Sequence, residues 1–152
     1  MTAATSCAVR TAEEVAGVTG APLVTDEGFR ETDFGAWEGL TFAEVRERWP
    51  AELSTWLADP DAAPPGGESF AAVSTRVTEA LHRLLAGRDG QRILIVSHVT
   101  PIKTLVAAAL LAPPAALFRM HLDVAALSEI DWYADGPAVL RSFNDTSYLP
   151  SQ

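Results

Sequence analysis

Residues 93–104 read ILIVSHVTPIKT, a short apolar run that ends in Ser97 and His98 and then resumes as an apolar helical pattern. That order puts one histidine at the carboxyl end of a strand, where open α/β sheets gather their ligands. An imidazole in such a position can donate to a phosphoryl oxygen, take up a proton or act as a nucleophile. The backbone N–H groups of Val99 and Thr100, at the start of the helix that follows, add an anion-binding surface. His98 with Val99 is therefore a candidate phosphate seat. The alternative is a structural histidine satisfied by backbone groups.

A second cluster lies in FRETDFGAWEGL, residues 29–40, where Glu31, Asp33 and Glu38 stand among Phe29, Phe34 and Trp37. Burial of a carboxylate against aromatic rings favours its protonated form, which suits general-acid work. Spacing alone does not choose among the three, and a solvated acidic loop with aromatic anchors is the competing reading. PPGGES, residues 64–69, offers glycine amides and a helix start but lacks the lysine and spacing of a P-loop. It reads more simply as a helix lead-in, with Glu68 favourable to the helix dipole. His82 and His121 fit packing or surface roles, and neither has a metal-ligand spacing to another His or Cys. No metal site and no cofactor are expected.

The elements that must position these residues follow from periodicity and punctuation. A helix is predicted over residues 7–18, followed by a loop-rich aromatic segment over 23–39. Thr41 and Glu44 form a capping box for a helix that ends at Pro50. DPDAAPPGG, residues 59–67, is a loop. Residues 68–85 repeat apolar side chains at Phe70, Val73, Val77 and Leu81, the stripe of an amphipathic helix. Residues 92–96 read as a buried parallel strand and residues 100–111 as the next helix, with Pro101 in its first turn. Segments 122–133 and 138–144, separated by Asp135-Gly136-Pro137, suggest an antiparallel hairpin. The tail, 145–152, is expected to fray. The fold class is α/β.

With 152 residues and 48% hydrophobic residues, the chain has material for one domain spanning 1–152. A formal net charge of -9 and the absence of a basic tract argue against a nucleic-acid partner. A small phosphorylated molecule stays open, because a local pocket can hold one phosphate whatever the global charge. Cys7 is the single cysteine and cannot make an internal disulfide. No apolar run approaches the roughly 18 residues of a membrane span, and the first residues do not read as a secretory signal. No membrane association and a cytoplasmic location are expected.

Four motifs in order, RTAEEVA closing the first helix, FRETDFGAWEGL, PPGGES and ILIVSHVTPIK, resemble the histidine phosphatase superfamily, also called phosphoglycerate-mutase-like. The resemblance runs from about Thr11 onward. SHVTPIK and LFRMHLD are most similar to the acid phosphatase or α-ribazole phosphatase domain fused behind ribonuclease H in actinobacterial proteins. It implies a three-layer α/β fold with a mostly parallel central sheet and helices on both faces, here truncated at the amino-terminal side. It also implies hydrolysis of a small phosphorylated metabolite through a phosphohistidine, more than mutase chemistry. Glu31 matches the family's general acid and base, and His98 matches the second histidine, which binds the transferring phosphoryl group.

The family's nucleophile belongs to an Arg-His-Gly motif on its first strand, and no Arg-His-Gly occurs in these residues. The family's second phosphate-binding arginine falls at Cys7 by alignment, with Arg10, three residues on, the candidate to replace it. Lack of an interior strand leaves unpaired edges and an uncovered apolar face, which calls for self-association or a complementing N-terminal segment. Three readings follow. The chain is a histidine-type phosphatase domain impaired by the missing nucleophile, a non-catalytic phosphate-binding or interaction module, or one part of a split enzyme.

Overall fold

The computed structural model describes residues 3–150. Helix α1 spans Ala3–Thr19, and an irregular connection leads to a single 3-10 turn at Glu27–Phe29 and another at Gly35–Trp37. Helices α2, Phe42–Arg48, and α3, Pro50–Ala58, follow. Helix α4 covers Phe70–Leu85 and α5 covers Val99–Ala109. A 3-10 segment at Pro114–Arg119 precedes strands β1, Leu127–Trp132, and β2, Ala138–Asp145.

Local chemistry explains most boundaries. Thr41 accepts the Glu44 N–H at 3.3 Å while Glu44 Oε2 accepts the Thr41 N–H at 2.8 Å, the reciprocal box read from sequence. Trp49 closes α2, and Pro50 opens α3 at the one helical position where its missing N–H costs nothing. The sequence marks Pro50 as the end of one helix, and α3 is a further helix that this expectation does not include. Ser69 caps α4 by accepting the Ala72 N–H at 3.1 Å.

Helix α4 carries two cores on its apolar stripe. Phe70 joins Trp37, Val45, Leu53, Trp56, Ala107 and Leu117. Val73, Val77 and Leu81 join Leu105 of α5, with Phe29, Ile95, Ile130 and Trp132 packed against them. The first core fastens the aromatic loop to α3, and the second fastens the hairpin to α5.

The sheet departs from expectation. Among the described residues it has two strands, β1 and β2, paired antiparallel, with Trp132 opposite Ala138 and Leu127 opposite Asp145. The hairpin read from Asp135-Gly136-Pro137 is present, its first strand beginning at Leu127 rather than Leu122. Residues 92–96, read as a parallel strand, are in no ladder, and no mostly parallel central sheet is formed among the described residues. The reason is the absence of a neighbour. The β-branched run packs through Ile95 on the second core, but residues 92–97 make no backbone-to-backbone hydrogen bond among the described residues. Of the tail expected to fray, residues 151 and 152 lie outside the described residues.

Candidate functional site

The site forms where the aromatic loop meets the start of α5. His98 is the N-cap of α5, half-buried, with φ -119° and ψ 177°, and its ring makes no capping hydrogen bond. One residue earlier, Ser97 Oγ donates to the Phe29 carbonyl at 2.6 Å. Two residues later, the Thr100 N–H points at the Glu31 carboxylate, 3.3 Å from Oε1 and 3.5 Å from Oε2. Glu31 Oε1 also accepts the Thr32 N–H at 2.8 Å. These bonds bring Glu31 and His98, 67 residues apart in sequence, to one helix end.

The loop that carries Glu31 is held from below. Glu68 accepts both Arg30 guanidinium nitrogens at 2.7 Å, Arg76 Nε at 3.2 Å and Nη2 at 3.0 Å, and the Asp33 N–H at 3.1 Å. Arg76 Nη1 donates to the carbonyls of Gly28 at 2.9 Å and Arg30 at 3.0 Å. Burial works against the Glu68 charge, but hydrogen bonds from Arg30, Arg76 and the Asp33 amide outweigh it and hold the carboxyl at about 2. The same pairing with Glu68 raises Arg30. Sequence reasoning gave Glu68 only a helix-dipole role. Its partners Arg30 and Arg76 lie 38 and 8 residues away, a separation that carries no local pattern.

PPGGES turns out to be the floor of the same loop. The Ala36 N–H donates to the Pro65 carbonyl at 2.9 Å and the Glu68 N–H to the Asp33 carbonyl at 2.8 Å. A Cβ on Gly67 would stand 2.5 Å from the Asp33 oxygen, and one on Gly35 2.4 Å from the Pro65 oxygen. These glycines permit backbone-to-backbone approach rather than cradling a ligand. The other two carboxylates are used locally: Asp33 accepts the Gly35 N–H and Glu38 the Phe34 N–H.

Beside His98 lies an open cavity of about 620 Å³, mostly apolar. Its walls include Val9 and Ala12 of α1, residues 21–26, Leu84 at the end of α4, and residues 91–96. Leu94 is 56% exposed and Val24 80% exposed. Val99 is 46% exposed at the helix start and Arg10 is exposed on α1. Arg10 does not line the cavity, whereas its neighbours Ala8 and Val9 do. His82 is exposed, and His121 pairs with Asp123 at 3.0 Å on the surface. No group of three or more His, Cys, Asp or Glu among the described residues gathers in a way that would hold a metal ion.

The site is thus an acid-bearing loop closed over a helix start with a histidine N-cap. Residues 3–146 match the histidine phosphatase superfamily (branch 1), and the chain belongs to that family. Bifunctional protein Rv2228c of Mycobacterium tuberculosis is 51% identical over 127 residues, covering 84% of this chain and 35% of that protein. Among solved structures, Bacillus stearothermophilus YhfR superposes with a TM-score of 0.81 at 31% identity, over 91% of this chain and 69% of that one. The α-ribazole phosphatase from Shigella flexneri gives a TM-score of 0.77 at 30% identity, over 91% and 68%. The chain thus spans about a third of the length of the mycobacterial relatives it matches.

Proposed function

We propose that this chain is the acid/base and phosphate-holding part of a phosphomonoester hydrolase of the histidine phosphatase type, acting on a small phosphorylated metabolite through a phosphohistidine. The observation that carries this reading is the convergence of Glu31 and His98 on the first turn of α5. In the forward step a nucleophilic histidine nitrogen attacks phosphorus, the ester P–O bond breaks, and Glu31 gives a proton to the departing alcohol oxygen. In the return step Glu31 takes a proton from water as its oxygen attacks phosphorus and the P–N bond breaks. His98, with the Val99 amide, donates to the phosphoryl oxygens where charge develops. Arg10 contributes only if a bound phosphate draws it inward.

The nucleophile is the residue these 152 amino acids do not supply in the family's motif. We propose that a complementing strand brings it, seated in the cavity beside His98. The backbone of residues 92–97, unpaired among the described residues, and the apolar cavity wall support this, since an added strand would satisfy both. Such a strand would also begin the mostly parallel central sheet that the resemblance implies. Self-association of two copies through the same face is the alternative occupancy, and a phosphate-binding module without turnover is the outcome if no strand completes the site.

The test is hydrolysis of p-nitrophenyl phosphate by the purified chain, alone and mixed with a synthetic peptide of five β-branched residues followed by Arg-His-Gly. Turnover is expected only in the mixture, and it should vanish with His98→Ala. His98→Ala should leave thermal stability nearly unchanged, because the ring makes no capping hydrogen bond to α5. Turnover by the chain alone would mean that its own residues assemble a working nucleophile. Phosphate binding without turnover in any mixture would leave the module reading.

A further inference from the structure

Glu68, Arg30 and Arg76 make the densest polar cluster among the described residues, and none of the three is assigned a role by the chemistry above. We propose that Glu68 is a positioning residue for Glu31, setting the orientation of its carboxylate through the loop backbone on both sides of it. This rests on the reading of Glu31 as the acid and base.

The bonds bracket Glu31. On its amino-terminal side, Arg76 Nη1 grips the Gly28 and Arg30 carbonyls, and Arg30 is clamped to both Glu68 oxygens at 2.7 Å. On its carboxyl-terminal side, Glu68 Oε2 accepts the Asp33 N–H at 3.1 Å, and the Glu68 N–H in turn donates to the Asp33 carbonyl at 2.8 Å. Arg30 Nη1 also reaches the Glu31 carbonyl at 3.2 Å. Residues 30 and 33 are therefore fixed to α4 and its lead-in by charge-assisted bonds, and the two residues between them have little freedom. Glu31 then holds its carboxylate on the Thr100 N–H, next to His98.

Geometry also favours positioning over simple stabilisation. One carboxylate serves two guanidiniums from two segments, and the side chains of Arg30, Glu68 and Arg76 are 34%, 20% and 18% exposed. A bidentate fork has one good orientation, so it transmits direction as well as attraction. Positioning groups of this kind work when their own rotamers are locked by neighbours, as Glu68 is by five hydrogen bonds.

The experiment reads the Thr100 amide resonance by nuclear magnetic resonance in the full chain. Glu31→Ala defines the position of that resonance when no carboxylate is present. In Glu68→Gln, and separately in Arg30→Gln, the resonance should move more than half of the way from its wild-type position to that endpoint. Arg83→Ala, which breaks the exposed pair with Asp26 on the same loop, should leave it in place. Thr100 within the nearer half of the range in both variants would overturn the proposal, as would an equal movement in Arg83→Ala. If Glu68→Gln does not fold, the more exposed Arg30→Gln decides alone. The outcome is independent of turnover: a complemented chain that fails to hydrolyse p-nitrophenyl phosphate sinks the phosphatase reading, while an unmoved Thr100 sinks the positioning role only.

Discussion

The carboxylate of Glu31 caps α5, standing 3.3 Å from the Thr100 N–H at the end of a helix whose N-cap, His98, offers no side-chain cap of its own. Of the two amides anticipated as an anion-binding surface at this helix start, that of Thr100 thus already holds an anion, and it belongs to the protein. Helix N-termini attract carboxylates because their first N–H groups are unpaired and carry partial positive charge. Glu31 therefore does two things at once, orienting its oxygens and closing the helix.

Glu31→Ala should accordingly destabilise the fold by about 1 kcal/mol, the usual cost of losing an N-terminal cap. Glu31→Gln keeps one acceptor oxygen and should lose less than half of that, while removing the carboxyl that the proposed function uses as acid and base. Urea unfolding of the two variants tests the order. Equal stability of Glu31→Ala and the parent chain would mean that the Thr100 contact contributes nothing.

Acid should weaken the fold through Glu68. Its carboxyl sits at about 2 in the folded chain against 4.5 for the free side chain, so it is lowered by folding. A group lowered by folding stabilises above its unfolded value, and that contribution is lost as pH falls from 4.5 toward 2. After solvent screening the loss is on the order of 2 kcal/mol. Melting temperature measured between pH 6 and 2.5 should fall more steeply for the parent chain than for Glu68→Gln; parallel curves would assign the acid sensitivity elsewhere.

How much of this was legible in the sequence depends on how far each signal reaches. The capping box at Thr41 and Glu44, the stripe Phe70, Val73, Val77 and Leu81, and the turn at Asp135-Gly136-Pro137 are local, and each appears in the fold where the pattern put it. Helix α3 was missed because proline marks a helix start as readily as an end, and only the burial of Leu53 and Trp56 distinguishes the two. Residues 92–96 have a strand's composition, but a strand is a relation between two segments, and the partner is not among the described residues. For the site, motif order brought Glu31 and His98 forward. The Glu68 clamp depends on side chains from three separate segments and left no mark in the pattern.

The close approach of the Asp33 loop to PPGGES makes a contrast among glycines. Gly67→Ala places a methyl 2.5 Å from a backbone oxygen, and Gly35→Ala adds a positive φ of 52° to a 2.4 Å clash. Backbone on both sides cannot retreat without breaking the Ala36 to Pro65 bond, so each should cost about 2 kcal/mol or more. Gly17, inside α1, has nothing within 4 Å of its Cβ position, and Gly17→Ala should stabilise by about 0.5 kcal/mol through helix propensity. Thermal unfolding of the three variants should separate them by sign.

Trp56 anchors the loop from the opposite side. Its ring meets Phe70 at 4.8 Å, Trp37 and Phe118 at 5.6 Å each, and Phe34 at 6.4 Å, and it is 4% exposed. These contacts, tilted at Phe70 and edge-on at Phe34, Trp37 and Phe118, tie α3 to the start of α4 and to the residues that follow Glu31. Trp56→Ala should cost about 3 to 5 kcal/mol, the range for emptying a large aromatic site. The indole N–H is buried without a partner among the described residues, so Trp56→Phe removes an unsatisfied donor along with part of the ring, and the two effects oppose each other. Trp56→Phe should therefore cost less than half as much as Trp56→Ala in denaturant unfolding followed by circular dichroism. Equal losses would mean that the indole N–H finds a partner in solution, and that its bond, rather than ring packing, fastens the loop.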